Sequence, residues 1–355
     1  MYLLDNYWIH FAVFTVVIIA FILTMVMGFI YIERRVLGFI QVRLGPNRTG
    51  PFGLLQPVAD AIKVLLKEDI IPAKGDKLIF WLAPLVAFVP VFMIFAVVPF
   101  QRGALLADLN VGILYVVAVS SIVAVGVFMA GWSSNNKFAL VGAMRDVAQL
   151  ISYEIPLGLA ILGVVLLAGS LSLTQIVEAQ SIPFILLQPL GFLIFFIAAL
   201  AEVNRCPFDL LEADSEIVAG FNVEYSGMKF AMFFLAEYCE VLVLSALVAT
   251  LFLGGWRGPL LPPFLWFVIK IVAVFLFVIW IRATIPRLRI DQVMGFAWKG
   301  LLPLALINLL ITGLEVLVWK GTLPWLAIFL NIAIMAVLIL LWSKFFRLGG
   351  GRVEV

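Results

Sequence analysis

The residues of this 355-residue chain that could do chemistry are carboxylic acids set within or beside long apolar runs. Glu154 stands just inside one such run, in SYEIPLG, two residues before Pro156. Proline removes a helical hydrogen bond and frees a carbonyl there. Glu202 closes a second run. Glu237 and Glu240 lie inside a third, in EYCE, three residues apart and therefore on one helix face. An ionisable group at membrane depth is expensive and marks a functional site by default. Two carboxylates in a low dielectric do not both ionise readily. The chemistry open to such groups is to hold, share and pass protons. For Glu154 the structural alternative is a carboxylate hydrogen-bonded to a neighbouring helix, or one near enough to the surface to be wet.

Segment 201–230 adds Asp209, Glu212, Asp214, Glu216 and Glu224, with only Arg205 and Lys229 as basic residues. Like charges held together resist simultaneous ionisation and respond to any nearby charge change. Pairing with the arginines of segment 33–69, or capping of short helices, is the alternative. Arg282, Arg287 and Arg289, with Asp291, form a basic patch suited to anionic lipid headgroups or to a docked acidic protein. Lys270 is placed to snorkel out of its run, and Glu315 lies mid-to-late in another. Cys206, Cys239 and the single His10 form no metal-ligand cluster or disulfide framework. The chain is therefore expected to bind no iron–sulfur cluster, haem or zinc of its own. It contains no dinucleotide fingerprint, P-loop or nucleophile elbow.

The elements that carry these acids follow from composition. Hydrophobic residues make up 65% of the chain, charged residues 12%, and mean hydropathy is +1.18. A soluble domain has about 45–50% apolar residues. This excludes a soluble enzyme, a disordered protein and a nucleic-acid binder. The apolar runs are continuous, as membrane-crossing helices require, not the alternating segments of a barrel. The fold class expected is an all-α membrane protein, a polytopic bundle of about nine transmembrane helices forming one membrane domain over 1–355. The spans expected are 9–31, 78–99, 111–132, 147–169, 182–203, 230–255, 263–284, 301–319 and 324–343. The first is too long for a cleavable signal, and no Lys or Arg precedes it. With the N-terminus outside, nineteen Lys and Arg fall on the inner side and three on the outer. The inner side then holds the loop 33–77, the acidic loop 204–229 and the tail 344–355. In the first of these, Leu54, Leu55, Val58, Ile62, Leu65 and Leu66 share a helical face, opposite Gln56, Asp60, Lys63 and Lys67. This is an interfacial amphipathic helix. It either seals the bundle or forms a wall beside which an apolar ligand enters.

The strings GPNRTGPFGLLQPVADAIK, SYEIPLG, AEVNRCPFDLLEADSEIVAGFNVEY, LAEY and RATIPRLRIDQVMGFAWK, in this order, are long and specific. Through them the chain resembles the H-type membrane subunit family of NADH:quinone oxidoreductase, respiratory complex I, whose mitochondrial counterpart is NADH dehydrogenase subunit 1. The resemblance implies a subunit without a redox centre that forms the membrane side of a quinone chamber. Arg34, Arg43 and Asp60 would line its access and lower part, with Arg205 and Asp209 also in the chamber. Glu212, Asp214, Glu216 and Glu224 would form the acidic loop, and Glu154, Glu202 and Glu237, with Glu240 beside them, a proton relay. Asp214 stands where Glu is common, and Glu240 where many relatives are neutral. Quinone would be the substrate. Flavin and iron–sulfur clusters would lie in partner subunits. Those partners would be hydrophilic quinone-module subunits on the inner face, with small and antiporter-like subunits in the membrane, here the inner membrane of a bacterium, with its lipids around. An equivalent subunit of a ferredoxin- or hydrogenase-linked relative is the first alternative. A stand-alone proton-coupled transporter is the second, and the inverted repeat usual in such proteins is not found.

Overall fold

The computed structural model describes residues 7–103, 105–210, 218–319 and 325–345, without the side chains of 7–10 and 345. Glu212, Asp214 and Glu216, at the centre of the acidic loop, lie outside the described residues, as do the His10 side chain, Lys320 and the tail beyond 345.

Among the described residues the chain is helical, without β-strands. The helices are α1 (Tyr7–Ile40), α2 (Gln56–Leu65), α3 (Lys77–Ile94), α4 (Gly112–Ser133), α5 (Lys137–Ala168), α6 (Leu173–Ala179), α7 (Phe184–Leu187), α8 (Pro189–Glu202), α9 (Gly227–Phe252), α10 (Pro263–Thr284), α11 (Ile290–Phe296), α12 (Leu302–Val318) and α13 (Trp325–Phe345). Eight stretches are long and apolar enough to cross a membrane: α1, α3, α4, α5, α9, α10, the continuous run Ile290–Val318, and α13. This is a multi-pass, all-α membrane protein.

The fifth expected span, 182–203, is divided. Gln188 separates α7 from α8 with φ −130° and ψ 64°. Pro189 follows it; proline disfavours the helical conformation in the residue before it and offers no N–H of its own. The helix restarts there, with Pro189 as the first residue of α8. The 14 residues of α8 span about 21 Å, short of the ~30 Å of hydrocarbon in a bilayer. Two boundaries also differ from the hydropathy reading. α1 continues to Ile40 because the charged residues of its last quarter meet partners described below. α5 begins at Lys137, where Asn136 accepts a hydrogen bond from the Phe138 amide (3.0 Å) and caps the helix.

α5 and α9 are among the most buried spans, and the others are arranged around them. α5 packs on α4, α8 and α12, while α9 packs on α3, α10 and α1. α3 and α4 meet backbone to backbone: a Cβ on Gly126 would come within 2.7 Å of the Ala87 nitrogen. Phe29 of α1 stacks on Phe275 of α10, ring centroids 3.7 Å apart. α2 packs on α1 and α9, and Val58, Ile62 and Leu65 on it, with Leu54 and Leu55 just before it, are exposed, as on an interfacial helix facing lipid.

Lys270 has a defined socket. Its Nζ donates to the carbonyls of Leu253 (2.7 Å), Gly255 (2.8 Å) and Arg257 (2.7 Å), closing the C-terminal end of α9. A cation there also complements the negative end of the helix dipole. Lys270→Met is expected to cost about 2 kcal/mol, the worth of charged hydrogen bonds, read as a lower thermal denaturation midpoint; an unchanged midpoint would refute this role.

Candidate functional site

α8 ends at Glu202, and the chain turns sharply through Asn204, whose φ is +54°. Gln149 of α5 holds this turn: its Nε2 lies 2.7 Å from the Ala201 carbonyl, 2.9 Å from Asn204 Oδ1 and 2.9 Å from the Phe208 carbonyl. The turn delivers Arg205 into the interior. Its side chain is only 5% exposed. It pairs through Nη1 with Glu33 of α1 (3.1 Å) and through Nε with Glu237 of α9 (3.1 Å). Its guanidinium also lies over the Tyr238 ring, 4.4 Å from the centroid. Glu33, 4% exposed, is shared, because it also accepts from Arg282 at the end of α10. Burial by itself disfavours the Arg205 charge, but the two carboxylates outweigh it and hold the proton firmly. One buried cation thus ties α1, the α8 turn and α9 together, with α10 joined through Glu33.

Two small cavities meet at the acids. The first, about 60 Å³, is lined by Glu202, Asn204, Arg205, Asp209, Asn222, Glu237, Glu240 and Arg282, with Phe230, Phe233 and Phe234 on one wall. The second, also about 60 Å³, runs into the apolar interior between Val91, Val116, Leu157, Phe195 and Leu244, with Ser120 as its added polar group. Glu202 and Glu240, with Val123 and Leu150, border both. Glu154 lies near this junction and accepts from Ser121 of α4. A proton held at Glu202 or Glu240 can therefore face either space.

A third feature lies between α1, α2 and α9. It is a groove of about 390 Å³, almost wholly apolar, that runs past Met27, Ile30, Val64, Leu65, Met228 and Leu235. Phe230 and Phe234 border both this groove and the Arg205 cavity. Arg34 and Asp60 stand at its edge as an ion pair, with Gln56 donating to Asp60 (3.0 Å) and Lys63 nearby (3.9 Å). Burial tends to raise the Asp60 pKa, but the bonds from Arg34 and Gln56 and the two positive charges hold it below its ordinary value of 3.8.

The structure therefore gathers Arg205, Asp209, Glu202, Glu237 and Glu240 at one cavity and Arg34 with Asp60 at the groove. Two expected site residues lie elsewhere. Arg43 is exposed on the loop after α1, and Glu224 accepts from Asn136 Nδ2 (2.8 Å) beside the start of α5. Cys206 donates to the Ile285 carbonyl (3.4 Å), and burial first, Asp209 next, push its thiol pKa up, so it stays a neutral thiol. Among the described residues no group of three or more His, Cys, Asp or Glu is placed to hold a metal. The reading by runs missed two buried acids: Glu33, which pairs with Arg205 and Arg282, and Asp146 of α5, beside the Asn204 turn. Both carry a legible signal: each continues the buried stripe of its helix, Ile22, Val26 and Phe29 for Glu33, and Ala139, Gly142 and Ala143 for Asp146. An acid at the next core position of an apolar stripe must find a partner inside.

Comparison with known proteins bears on this geometry. A family model described as NADH dehydrogenase matches residues 13–313. The H-type subunit of NADH-quinone oxidoreductase from Dehalococcoides mccartyi is 62% identical over 352 residues, covering 99% of this chain and all of that protein (100%). The H-type subunit numbered 2 from Geobacter sulfurreducens is 54% identical over 302 residues, 82% of this chain and 92% of that one. The H-type subunit of Geobacillus kaustophilus is 56% identical over 301 residues, 83% of this chain and 90% of that one.

Arg205→Leu leaves Glu33 and Glu237 facing each other without their shared cation. The expected loss is about 3–5 kcal/mol, as for a buried pair deprived of one partner, measured as a fall in thermal midpoint or loss of folded protein. Arg205→Lys restores the charge but not the two-sided fork, and is expected to fall between. The Arg34–Asp60 pair has the opposite scale, within about 1 kcal/mol because both groups are partly exposed. Its sign follows from the lowered Asp60 pKa: the stabilisation is complete above the ordinary value of 3.8 and is lost as pH falls below it. Amide exchange in α2, corrected for intrinsic rate, is expected to rise over that interval.

Proposed function

The chain belongs to the family of H-type subunits of NADH-quinone oxidoreductase, membrane subunits of complex I, and on that premise we propose that it forms the membrane side of the quinone chamber and couples quinone reduction to proton translocation through its buried carboxylates. The observation that carries this reading is the shared Phe230–Phe234 wall: an apolar groove abuts a cavity whose polar lining is carboxylate and guanidinium. A lipophilic ring with an isoprenoid tail suits the first space, and a headgroup that gains charge suits the second.

Reduction of a quinone to a quinol takes two electrons and two protons. The electrons come from partner subunits carrying flavin and iron–sulfur clusters, on the hydrophilic side. Arriving charge at the headgroup competes with Glu237 and Glu33 for Arg205 and Arg282, and in a partly desolvated space that competition is poorly screened. Glu237 then takes up or gives up a proton, and Glu240 and Glu202, which border both cavities, pass the change inward toward Ser120, Ser121 and Glu154. Asp209 and the acids Glu212, Asp214 and Glu216 of loop 204–229 would tune the charge beneath the headgroup, with Arg43 on the face offered to the hydrophilic subunits. The similarity to these relatives runs the length of the chain, which favours a subunit over a stand-alone transporter. The names of the relatives favour NADH over ferredoxin or hydrogen as the electron source.

In assembled complex, Glu202→Gln and Glu237→Gln are each expected to lower coupled quinone reduction about tenfold, some 1.4 kcal/mol on the barrier, and to lower proton translocation with it. Wild-type rates of both in either variant would remove the relay. Phe234→Trp, which fills the groove, is expected to raise the KM for quinone while assembly is kept; an unchanged KM would place the substrate elsewhere.

A further inference from the structure

A second polar cluster lies inside the bundle, away from the Arg205 cavity. It forms around the break between α7 and α8. Gln188 at the break donates to the Thr312 hydroxyl of α12, which in turn donates to the Asn308 carbonyl (2.8 Å). Asn331 of α13 donates to the Leu187 carbonyl (2.7 Å) and to Glu315 Oε2 (3.1 Å). Gln188, Asn308, Thr312, Glu315 and Asn331 are all more than nine-tenths buried. The helices close around them on glycine: a Cβ on Gly163 of α5 would come within 2.8 Å of the Gln188 amide, and one on Gly191 within 3.1 Å of both Asn308 and Gln188. Such a cluster is built, not accidental, since its members come from three separate elements and meet side chain to side chain.

Glu315 is the one ionisable member. Its Oε1 is buried without a hydrogen-bond partner among the described residues, and its other oxygen has one N–H of the Asn331 amide, whose second N–H goes to the Leu187 carbonyl. It sits in the last turn of α12, where its own carbonyl accepts from Trp319 (2.9 Å) and the helix dipole is negative. No described cation pairs with it. Of the elements packed nearby, α7 carries no ionisable side chain, α8 has only Glu202 and α13 only Lys344, both at far ends, and α5 has none after Glu154. Lys320, beyond the end of α12, lies outside the described residues. A carboxylate anion in this setting has one donor and a negative helix end against it.

We infer that Glu315 is a proton-binding site, standing as the neutral acid with its proton on Oε1, at the end of the bundle opposite the Arg205 cavity. The placement follows from topology. The segment before α11 bonds to the Arg205 turn, Leu288 N to the Pro207 carbonyl (3.0 Å), and α12 then runs away from it to Glu315. The ligand is a proton, and the groups that enclose it are amides and a hydroxyl. The inference is independent of the quinone reading, because it concerns different helices' side chains and a different end of the molecule.

Infrared spectroscopy of the assembled complex, wild type against Glu315→Gln at neutral pH, tests it. The expected result is loss of one protonated-carboxyl C=O band, with an unchanged thermal midpoint, because the Gln amide reproduces the donor and acceptor of the neutral acid. Loss of a carboxylate band instead, as an ion pair with Lys320 would give, overturns the inference, and so does a spectrum without change. If Glu315→Gln does not assemble, Glu315→Asp is expected to shift the same C=O band, and an unshifted band overturns it equally. Quinone reduction by these variants reports separately on the Arg205 site, so failure of one reading leaves the other standing.

Discussion

The structure depends on one buried cation. Arg205 is placed where water cannot solvate it, and two carboxylates from different helices do so instead. Neither half is tolerable alone: an unpaired arginine or an unpaired glutamate at that depth would cost more than most single contacts return. The arrangement therefore forces α1, the turn after α8 and α9 to arrive together, with Arg282 of α10 drawn in through the shared Glu33. On the proposed function it also leaves the site poised, because a guanidinium divided between two acids can change its allegiance when a third negative charge arrives.

Around that cation the chain separates two solvents. The groove between α1, α2 and α9 is nearly free of polar surface, while the cavity behind Phe230 and Phe234 is lined by acids and arginines. Two aromatic side chains on adjacent turns of α9 form the partition. The same helix carries Glu237 and Glu240 one and two turns further on, so the apolar access and the polar interior are read out along a single element. Glu202 and Glu240 then stand where the polar cavity meets a narrower apolar one.

Helix breaks supply the remaining polar structure. The turn after α8 exists because Asn204 adopts a left-handed conformation held by Gln149. The break at Gln188 stands where Pro189 offers no N–H to the helical ladder, and the Leu187 carbonyl there is met by Asn331. In hydrocarbon such freed groups must be met by protein. Each break thus gathers amides from neighbouring helices, and each gathering holds or adjoins an acid: Glu202 at one, Glu315 at the other.

Much of this was legible before any fold was known. Hydropathy and charge gave a polytopic helical bundle, the amphipathic α2, and the acids Glu202, Glu237 and Glu240, because burial of long apolar runs and the cost of charge in oil are local properties of sequence. Helical spacing alone put Glu237 and Glu240 on one face. Pro189 was equally visible, but so were Pro84, Pro90 and Pro156, which lie inside unbroken helices, so the divided fifth span was not. Partnership is a different matter. That Arg205 belongs to Glu33 and Glu237, that Glu224 is taken by Asn136, and that Lys270 closes the end of α9 depend on contacts between residues far apart in the chain. Those contacts are decided by which helix faces which, and side-chain geometry between helices has no period in the sequence. The sequence determined which groups could not remain unsatisfied in a membrane; only the tertiary structure decided which of them satisfy one another.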